Sequence, residues 1–249
     1  MIALIPAYNE AATIRAVTEG VLAHVPELIV VDDGSNDGTA GCLHEMPVQV
    51  IRHETNRGKA AALASGFSAA RARNNDAILT LDGDAQHRAQ DIPRLLMAHA
   101  HFPEAIIIGS RLHDKQHIPA ARYAANRFAN FWIGWAAGVS IEDSQSGFRV
   151  YPATLLRTGR WPKSAGFVFE SEILIEAARA GVAIVHVPVA AVYSRHARSS
   201  HFRPVVDIAR IVLMVARKLL ARGLYLRGLV RSLRRPAVFV SGGEERIKN

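Results

Sequence analysis

Apolar runs of four or five residues alternate with stretches of helical spacing over the first half of the chain. Residues 2–5, 28–31, 48–52, 77–81 and 105–109 read as short buried strands, and 182–192 as a further one. Between them, Ile14, Val17, Val21 and Leu22 recur at helical spacing in a segment predicted helical from 11 to 24. A short helix is predicted after residue 39 and an alanine-rich one after Lys59; 92–102 and 167–178 read as two more. Strands that alternate with helices predict right-handed parallel crossovers, hence an α/β fold with a mostly parallel central sheet flanked by helices. In such a sheet ligands bind beyond the carboxyl ends of the strands.

Those strand ends are where the polar chemistry collects. The first is followed by Asn9 and Glu10, the second by Asp32-Asp33-Gly34-Ser35-Asn36-Asp37-Gly38-Thr39, the third by Asn56-Arg57-Gly58-Lys59, and the fourth by Asp82-Gly83-Asp84-Ala85-Gln86-His87. Asp-Asp-Gly-Ser is by itself ordinary turn chemistry; three acidic strand ends in succession point to a site. In an extended segment, residues two apart share a side, so Asp82 and Asp84 can offer oxygens to one hard cation. Farther on, the apolar stretch 128–141 carries Trp132 and Trp135 and reads by default as core, with a substrate-facing wall or a shallow membrane contact as alternatives. It leads into a polar loop, Glu142-Asp143-Ser144-Gln145-Ser146-Gly147-Phe148-Arg149, and then to a helix with Glu170 and Glu172.

The last third has a different pattern. From 205 to 221 the charged residues Asp207, Arg210, Arg217 and Lys218 fall on one side of a helical wheel and the rest is nearly all aliphatic; after Gly223 the pattern restarts with Arg227, Arg231, Arg234 and Arg235. Two basic amphipathic helices predict contact with an anionic membrane surface, with packing on the parent domain or a homodimer interface as the alternatives. Pro236 ends the second helix, and the residues after it read as a disordered tail. The predicted organisation is a catalytic domain over 1–203, basic helices over 204–235 and a tail over 236–249.

Charge and composition narrow the partners. Thirty Lys and Arg against 22 Asp and Glu give +8, which calls for an anionic partner. Nucleic acid is disfavoured, because no aromatic stacking platform accompanies the basic residues, which concentrate on the terminal helices. The single cysteine, Cys42, excludes an internal disulfide and a zinc ribbon, and a reducing compartment is the natural expectation. Met1 leads directly into a strand with no signal-like segment, and the longest run free of Asp, Glu, Lys and Arg, 180–194, is below the ~20 residues of a spanning helix. The expected location is therefore cytoplasmic, peripheral at the inner face of the cell membrane.

Taken in order, these motifs resemble the family 2 glycosyltransferases of the GT-A fold, and within them the dolichyl-phosphate mannose synthases and bacterial polyprenyl-phosphate glycosyltransferases. The series runs from Ile5-Pro6-Ala7-Tyr8-Asn9-Glu10 through Val30-Val31-Asp32-Asp33-Gly34-Ser35, Asn56-Arg57-Gly58-Lys59 and Asp82-Gly83-Asp84-Ala85-Gln86-His87 to Gly109-Ser110-Arg111 and Ser146-Gly147-Phe148-Arg149. Any one of the six is weak; the order is specific. The resemblance implies a nucleotide-sugar donor held by Pro6, Tyr8, Glu10 and Asp33, with Lys59, Asp82 and Gly83 in the same set. It implies Mg²⁺ or Mn²⁺ on Asp82, Asp84 and Gln86, acting as a Lewis acid on the departing diphosphate. Asp84 and Arg111 are the implied catalytic residues, with Arg111 on the phosphate side.

The same resemblance implies a lipid-linked acceptor such as a polyprenyl phosphate, transfer with inversion, and an acceptor phosphate met by Arg149, Arg195 and position 201. His201 stands where the branch usually has lysine, and an imidazole with an ordinary pKa of ~6.5 is only partly charged at neutral pH. A phosphate acceptor needs no strong general base; a soluble or non-isoprenoid hydroxyl acceptor does, and Asp143 is the candidate for it. A nucleotide-binding module without catalysis is the remaining alternative.

Overall fold

In a computed structural model of the chain, residues 1–73, 75–112, 118–158, 162, 164, 166, 168–190, 204–241 and 244–247 are described. One sheet of nine strands runs through the molecule. Its strands in chain order are β1 (Ile2–Ala7), β2 (Leu28–Asp32), β3 (Gln49–Arg52), β4 (Ala77–Thr80), β5 (Ile106–Ser110), β6 (Arg149–Pro152), β7 (Ile184–Pro188), β8 (Val238–Ser241) and β9 (Glu244–Ile247). Their spatial order is β3-β2-β1-β4-β6-β5-β7-β8-β9. All neighbours are parallel except the pairs that β6 makes with β4 and β5 and the last pair, β8 with β9.

The continuous apolar runs follow from burial on both faces. Along β1, Ile2 and Leu4 enter one core cluster while Ala3, Ile5 and Ala7 enter the other. The first cluster lies under α2 (Lys59–Arg71), α4 (Ala120–Ala137), α6 (Val168–Arg179) and α7 (Pro204–Leu220); the second lies under α1 (Ile14–Leu22) and α3 (Ile92–His101). A short α5 (Ala153–Arg157) follows β6, and α8 (Leu226–Arg234) follows α7.

Three sequence expectations shift. α1 starts at Ile14 rather than 11, and the Glu10 and Ala11 amides before it donate to the side chains of Thr39 and Asp37. The helix expected after residue 39 is a single 3₁₀ turn, Gly41–Leu43. The division at 203 and the tail after 235 need correction. Ile211, Val215 and Leu219 of α7 are buried in the same cluster as α4 and α6, and β8 extends the main sheet, with Ala237, Phe239 and Val240 buried. Residues 237–240 are a run of four apolar residues that pairs in parallel with β7, which a helix-ending proline before it and glycines after it had masked in the sequence.

Candidate active site

The loops that follow β1, β2, β4 and β5 meet at the carboxyl rim of the sheet. Because β6 runs the opposite way, its amino end enters the same rim, and residues 142–148 sit between the ends of β4 and β5. The rim therefore has two sides around Asp82 and Asp84.

On the first side, small polar residues join the β1 and β2 loops. Asn9, in a left-handed conformation, donates its amide to Ser35 Oγ at 2.8 Å and receives the Asn36 amide on Oδ1 at 3.0 Å. Thr13 Oγ1 donates to the Gly83 carbonyl at 2.7 Å, which ties the β1 loop to the acidic motif. Asp33 is buried, and its carboxylate accepts from His53 Nδ1 at 2.6 Å and from the Arg57 and Gly58 amides at 3.0 and 2.7 Å. Gly34 has a φ of +74°, and a Cβ there would lie 2.5 Å from the Thr55 carbonyl carbon, so the two loops require glycine at this crossing. Pro6 in β1 and Tyr8 and Glu10 just beyond it are half-buried along the same edge. Asp33 thus ties the β2 loop to residues 53–58 and shapes this side of the rim.

At the centre, Lys59 opens α2 and places its Nζ 2.6 Å from Asp82 Oδ1 and 2.9 Å from Glu170 Oε2. Burial favours the neutral Asp82 carboxyl, but the Lys59 ammonium outweighs it and holds the group below the usual carboxylate range. Asp84 is pushed up, first by burial and then by the charge of Asp82. Gly147 is packed against Asp82 so closely that a Cβ would stand 2.5 Å from Oδ2. Gln86 is nearly buried; its amide donates to Asp84 Oδ1 at 3.1 Å, and its Oε1 lies 3.5 Å from Arg122 Nη2.

The donor set fits a hard divalent cation. Asp84 lacks the ammonium partner that Asp82 has, its ionised form is disfavoured beside a second carboxylate, and a cation would relieve both effects. Gly83 places no steric demand; its carbonyl does the work through Thr13.

The second side is built from buried ions. Arg111 lies just past β5 and grips Asp143: its backbone amide and Nε reach Oδ2 at 3.0 Å each, and Nη2 reaches Oδ1 at 3.1 Å. Asp143 is fully buried, and although burial raises its carboxyl, Arg111 keeps it lowered. A carboxylate so occupied is a poor proton acceptor, and it holds Arg111 in place. Arg149 is fully buried and bonds the Ser146, Ser144 and Glu170 carbonyls at 2.7, 2.7 and 3.0 Å and the Tyr151 hydroxyl at 3.1 Å. It holds the 142–148 loop with four of its five N–H donors, and the assignment to an acceptor phosphate is corrected: the side chain is fully buried and turned inward. Arg195 and His201 lie outside the described residues.

Two residues of the site were not singled out for it from the sequence. Glu170, on α6, is the second anchor of Lys59; a glutamate in an apolar helix far from any motif gave little signal. His87, inside the acidic motif, is buried against Phe148 with ring centroids 5.2 Å apart, and neither ring nitrogen has a hydrogen-bond partner. Burial and then the Arg111 charge depress its pKa to about 3, so it is a neutral imidazole beside the acidic pair.

Among the described residues no group of three or more His, Cys, Asp or Glu side chains is arranged as a metal cage. No helix among them is long and apolar enough to cross a membrane.

Similarity to known proteins agrees with this rim. An uncharacterised protein of Methanocaldococcus jannaschii is 33% identical over 212 residues, covering 80% of this chain and 91% of its own. The undecaprenyl-phosphate mannosyltransferase of Micrococcus luteus is 29% identical over 206 residues, covering 76% of this chain and 82% of its own. Among solved structures, glucosyl-3-phosphoglycerate synthase from Mycobacterium tuberculosis, in complex with Mn²⁺, UDP and glucosyl-3-phosphoglycerate, superposes with a TM-score of 0.65 at 20% identity over 99% of this chain and 86% of its own, a likeness of fold. Residues 2–158, which carry the rim from the β1 loop to β6, match the model of Glycosyl transferase family 2, and the chain is a glycosyltransferase belonging to that family.

Proposed function

We propose that the chain transfers a sugar from a nucleotide-sugar donor to a polyprenyl phosphate, with Mg²⁺ or Mn²⁺ bound at Asp82, Asp84 and Gln86. The observation that carries the reading is the arrangement around Asp84: a carboxyl raised by burial and by its acidic neighbour, at a rim where Asp82 is paired with Lys59 and Asp143 with Arg111. The acceptor class rests on the likeness to the undecaprenyl-phosphate mannosyltransferase. A cation bound here supplies charge neutralisation of the departing diphosphate.

The chain's own groups have distinct parts in this reading. Lys59 keeps Asp82 ionised and fixes its direction. Arg111, gripped by Asp143 through its backbone amide, Nε and Nη2, supplies a fixed positive charge on the phosphate side. The acceptor is already an anion, so its phosphate oxygen attacks the anomeric carbon without a base to deprotonate it, from the face opposite the leaving group, and the product is inverted. Consistent with that, Asp143 is committed to Arg111.

The test is a screen of nucleotide sugars for turnover with a short-chain polyprenyl phosphate, with and without Mn²⁺ or Mg²⁺. Alongside it, UDP and GDP are expected to raise the melting temperature only when the cation is present, and Asp84→Ala should abolish that rise. An equal shift in EDTA overturns the cation assignment; turnover on a soluble hydroxyl acceptor alone overturns the acceptor assignment.

A further inference from the structure

We infer that the outer faces of α4 and α8, with the end of α7 and the turn that joins it to α8, form one docking surface for an anionic lipid bilayer. An amphipathic helix ordinarily turns its apolar side inward. α7 buries Ile211, Val215 and Leu219 in this way, while its Val206 and Leu213 stay exposed by 43 and 52%. α8 does the reverse: the side that packs on α4 carries Gly228 and Ser232, one turn apart. A Cβ on Gly228 would meet the Trp135 carbonyl oxygen at 2.8 Å and the Tyr225 ring at 2.1 Å, so nothing larger than glycine allows this approach. With its small side inward, α8 leaves Leu226, Val230 and Leu233 exposed by 61, 47 and 67%, as a stripe at i, i+4 and i+7.

The stripe continues onto neighbouring elements. Leu220 at the end of α7 and Leu224 in the turn that follows are exposed, and Trp135 Nε1 donates to the Leu224 carbonyl at 3.0 Å, which fixes that turn on α4. Along α4, Trp135 stacks on Trp132 at 5.4 Å, and Phe131 and Phe128 lie against Trp132 with their own rings 43 and 50% exposed. Aromatic rings and leucines beside cations make the composition of an interfacial surface.

The occupant is decided by charge. Residues 222–235 hold five arginines and no carboxylate. Among the described residues Arg227, Arg231, Arg234 and Arg235 have no ion-pair partner, and all four are exposed beside the leucine stripe. A second copy of the chain would bring the same arginines face to face, whereas anionic headgroups neutralise them while the leucines enter the acyl boundary. The surface also leads to the site. Phe128 lies six residues from Arg122, the neighbour of Gln86, or about 9 Å along the axis at ~1.5 Å per residue. A phosphate carried by a membrane lipid would reach the rim from that end.

The test uses the full chain and phosphatidylcholine vesicles with or without phosphatidylglycerol. Wild type is expected to sediment with the anionic vesicles and to shift its tryptophan emission to shorter wavelength. Leu226→Ser with Leu233→Ser, and separately Arg227→Glu with Arg231→Glu, should weaken binding at least ten-fold with the melting temperature unchanged, since these side chains are exposed. Arg15→Glu with Arg71→Glu, which carries the same net charge but alters exposed residues of α1 and α2, should bind as wild type. Binding retained in both α8 variants, an equal loss in the control, or no binding by wild type overturns the inference. So does a wild-type dimer in light scattering that the leucine variant converts to monomer, because the face then belongs to a second copy. If an α8 variant fails to fold, quenching of the wild-type tryptophans by brominated lipid decides, and its absence counts against the surface. None of these readouts involves turnover, so they stand or fall apart from the acceptor assignment.

Discussion

The two sides of the catalytic rim are held by different physics. The side built from the β1, β2 and β3 loops is a mesh of hydrogen bonds among serine, threonine, asparagine and backbone amides, with Asp33 collecting three donors. The side built from residues 142–148 is held by buried guanidinium groups, Arg149 on carbonyls and Arg111 on Asp143. Each neutral hydrogen bond contributes about 1 kcal/mol net, and many share the load, so the first side tolerates loss of one. A buried ion that loses its partner costs several times more, so the second side fails at single points. Lys59 spans the seam, bonded to Asp82 on one hand and to Glu170 behind the 142–148 loop on the other.

The largest effect is expected at Arg149. Arg149→Met leaves three buried carbonyls and the Tyr151 hydroxyl without their donor and should cost about 3–5 kcal/mol, read by urea denaturation. A loss near 1 kcal/mol would mean that the loop is held by something else. Next comes the Arg111–Asp143 pair. Arg111→Met strands a buried carboxylate and should destabilise by about 3 kcal/mol, Asp143→Asn by less, and a double-mutant cycle should give a coupling of about 1–3 kcal/mol. Near-additivity would deny the positioning role given to Asp143.

Acid provides a third probe. His186 is buried with Nδ1 at 3.3 Å from the Val238 carbonyl and Nε2 accepting the Glu142 amide at 3.2 Å, an arrangement that fits only the neutral ring. Burial lowers its pKa to about 4, and that of His87 to about 3. The unfolded chain binds these protons below about 6.5 and the folded chain does not, so stability falls as pH drops from there, by about 1.4 kcal/mol per pH unit for each ring, down to the folded values. His186→Gln should flatten the slope between pH 6 and 4, measured by chemical denaturation across pH. The smallest effect belongs to the hydrogen-bonded side: Asp33→Asn should cost about 1–2 kcal/mol, because the side-chain amide oxygen keeps some of the donors. A larger loss there than at Arg111 would reverse the comparison.

The hydrogen-bonded side was the more legible one. Its residues sit directly after apolar runs, and serine, asparagine, aspartate and glycine announce turns by local chemistry. The ionic side was legible only as a polar loop. Nothing in Ser146-Gly147-Phe148-Arg149 tells that the arginine points into the protein, because β6 is antiparallel and its insertion between β4 and β5 is not written in the period of its side chains. The basic helices were read correctly as amphipathic, yet the shared pattern does not tell that α7 buries Ile211, Val215 and Leu219 while α8 approaches α4 through Gly228 and Ser232 and leaves its leucines exposed.

The sequence by itself determined the alternating α/β plan, the parallel strands and the place where polar groups gather, because these depend on periodicity and on neighbours along the chain. Tertiary structure alone decided which charges remain for ligands. Arg111 meets Asp143 across 32 residues, and Lys59 meets Glu170 from another helix. A charge is neutralised by whatever stands within a few ångströms of it, and that distance is set by packing rather than by order in the chain.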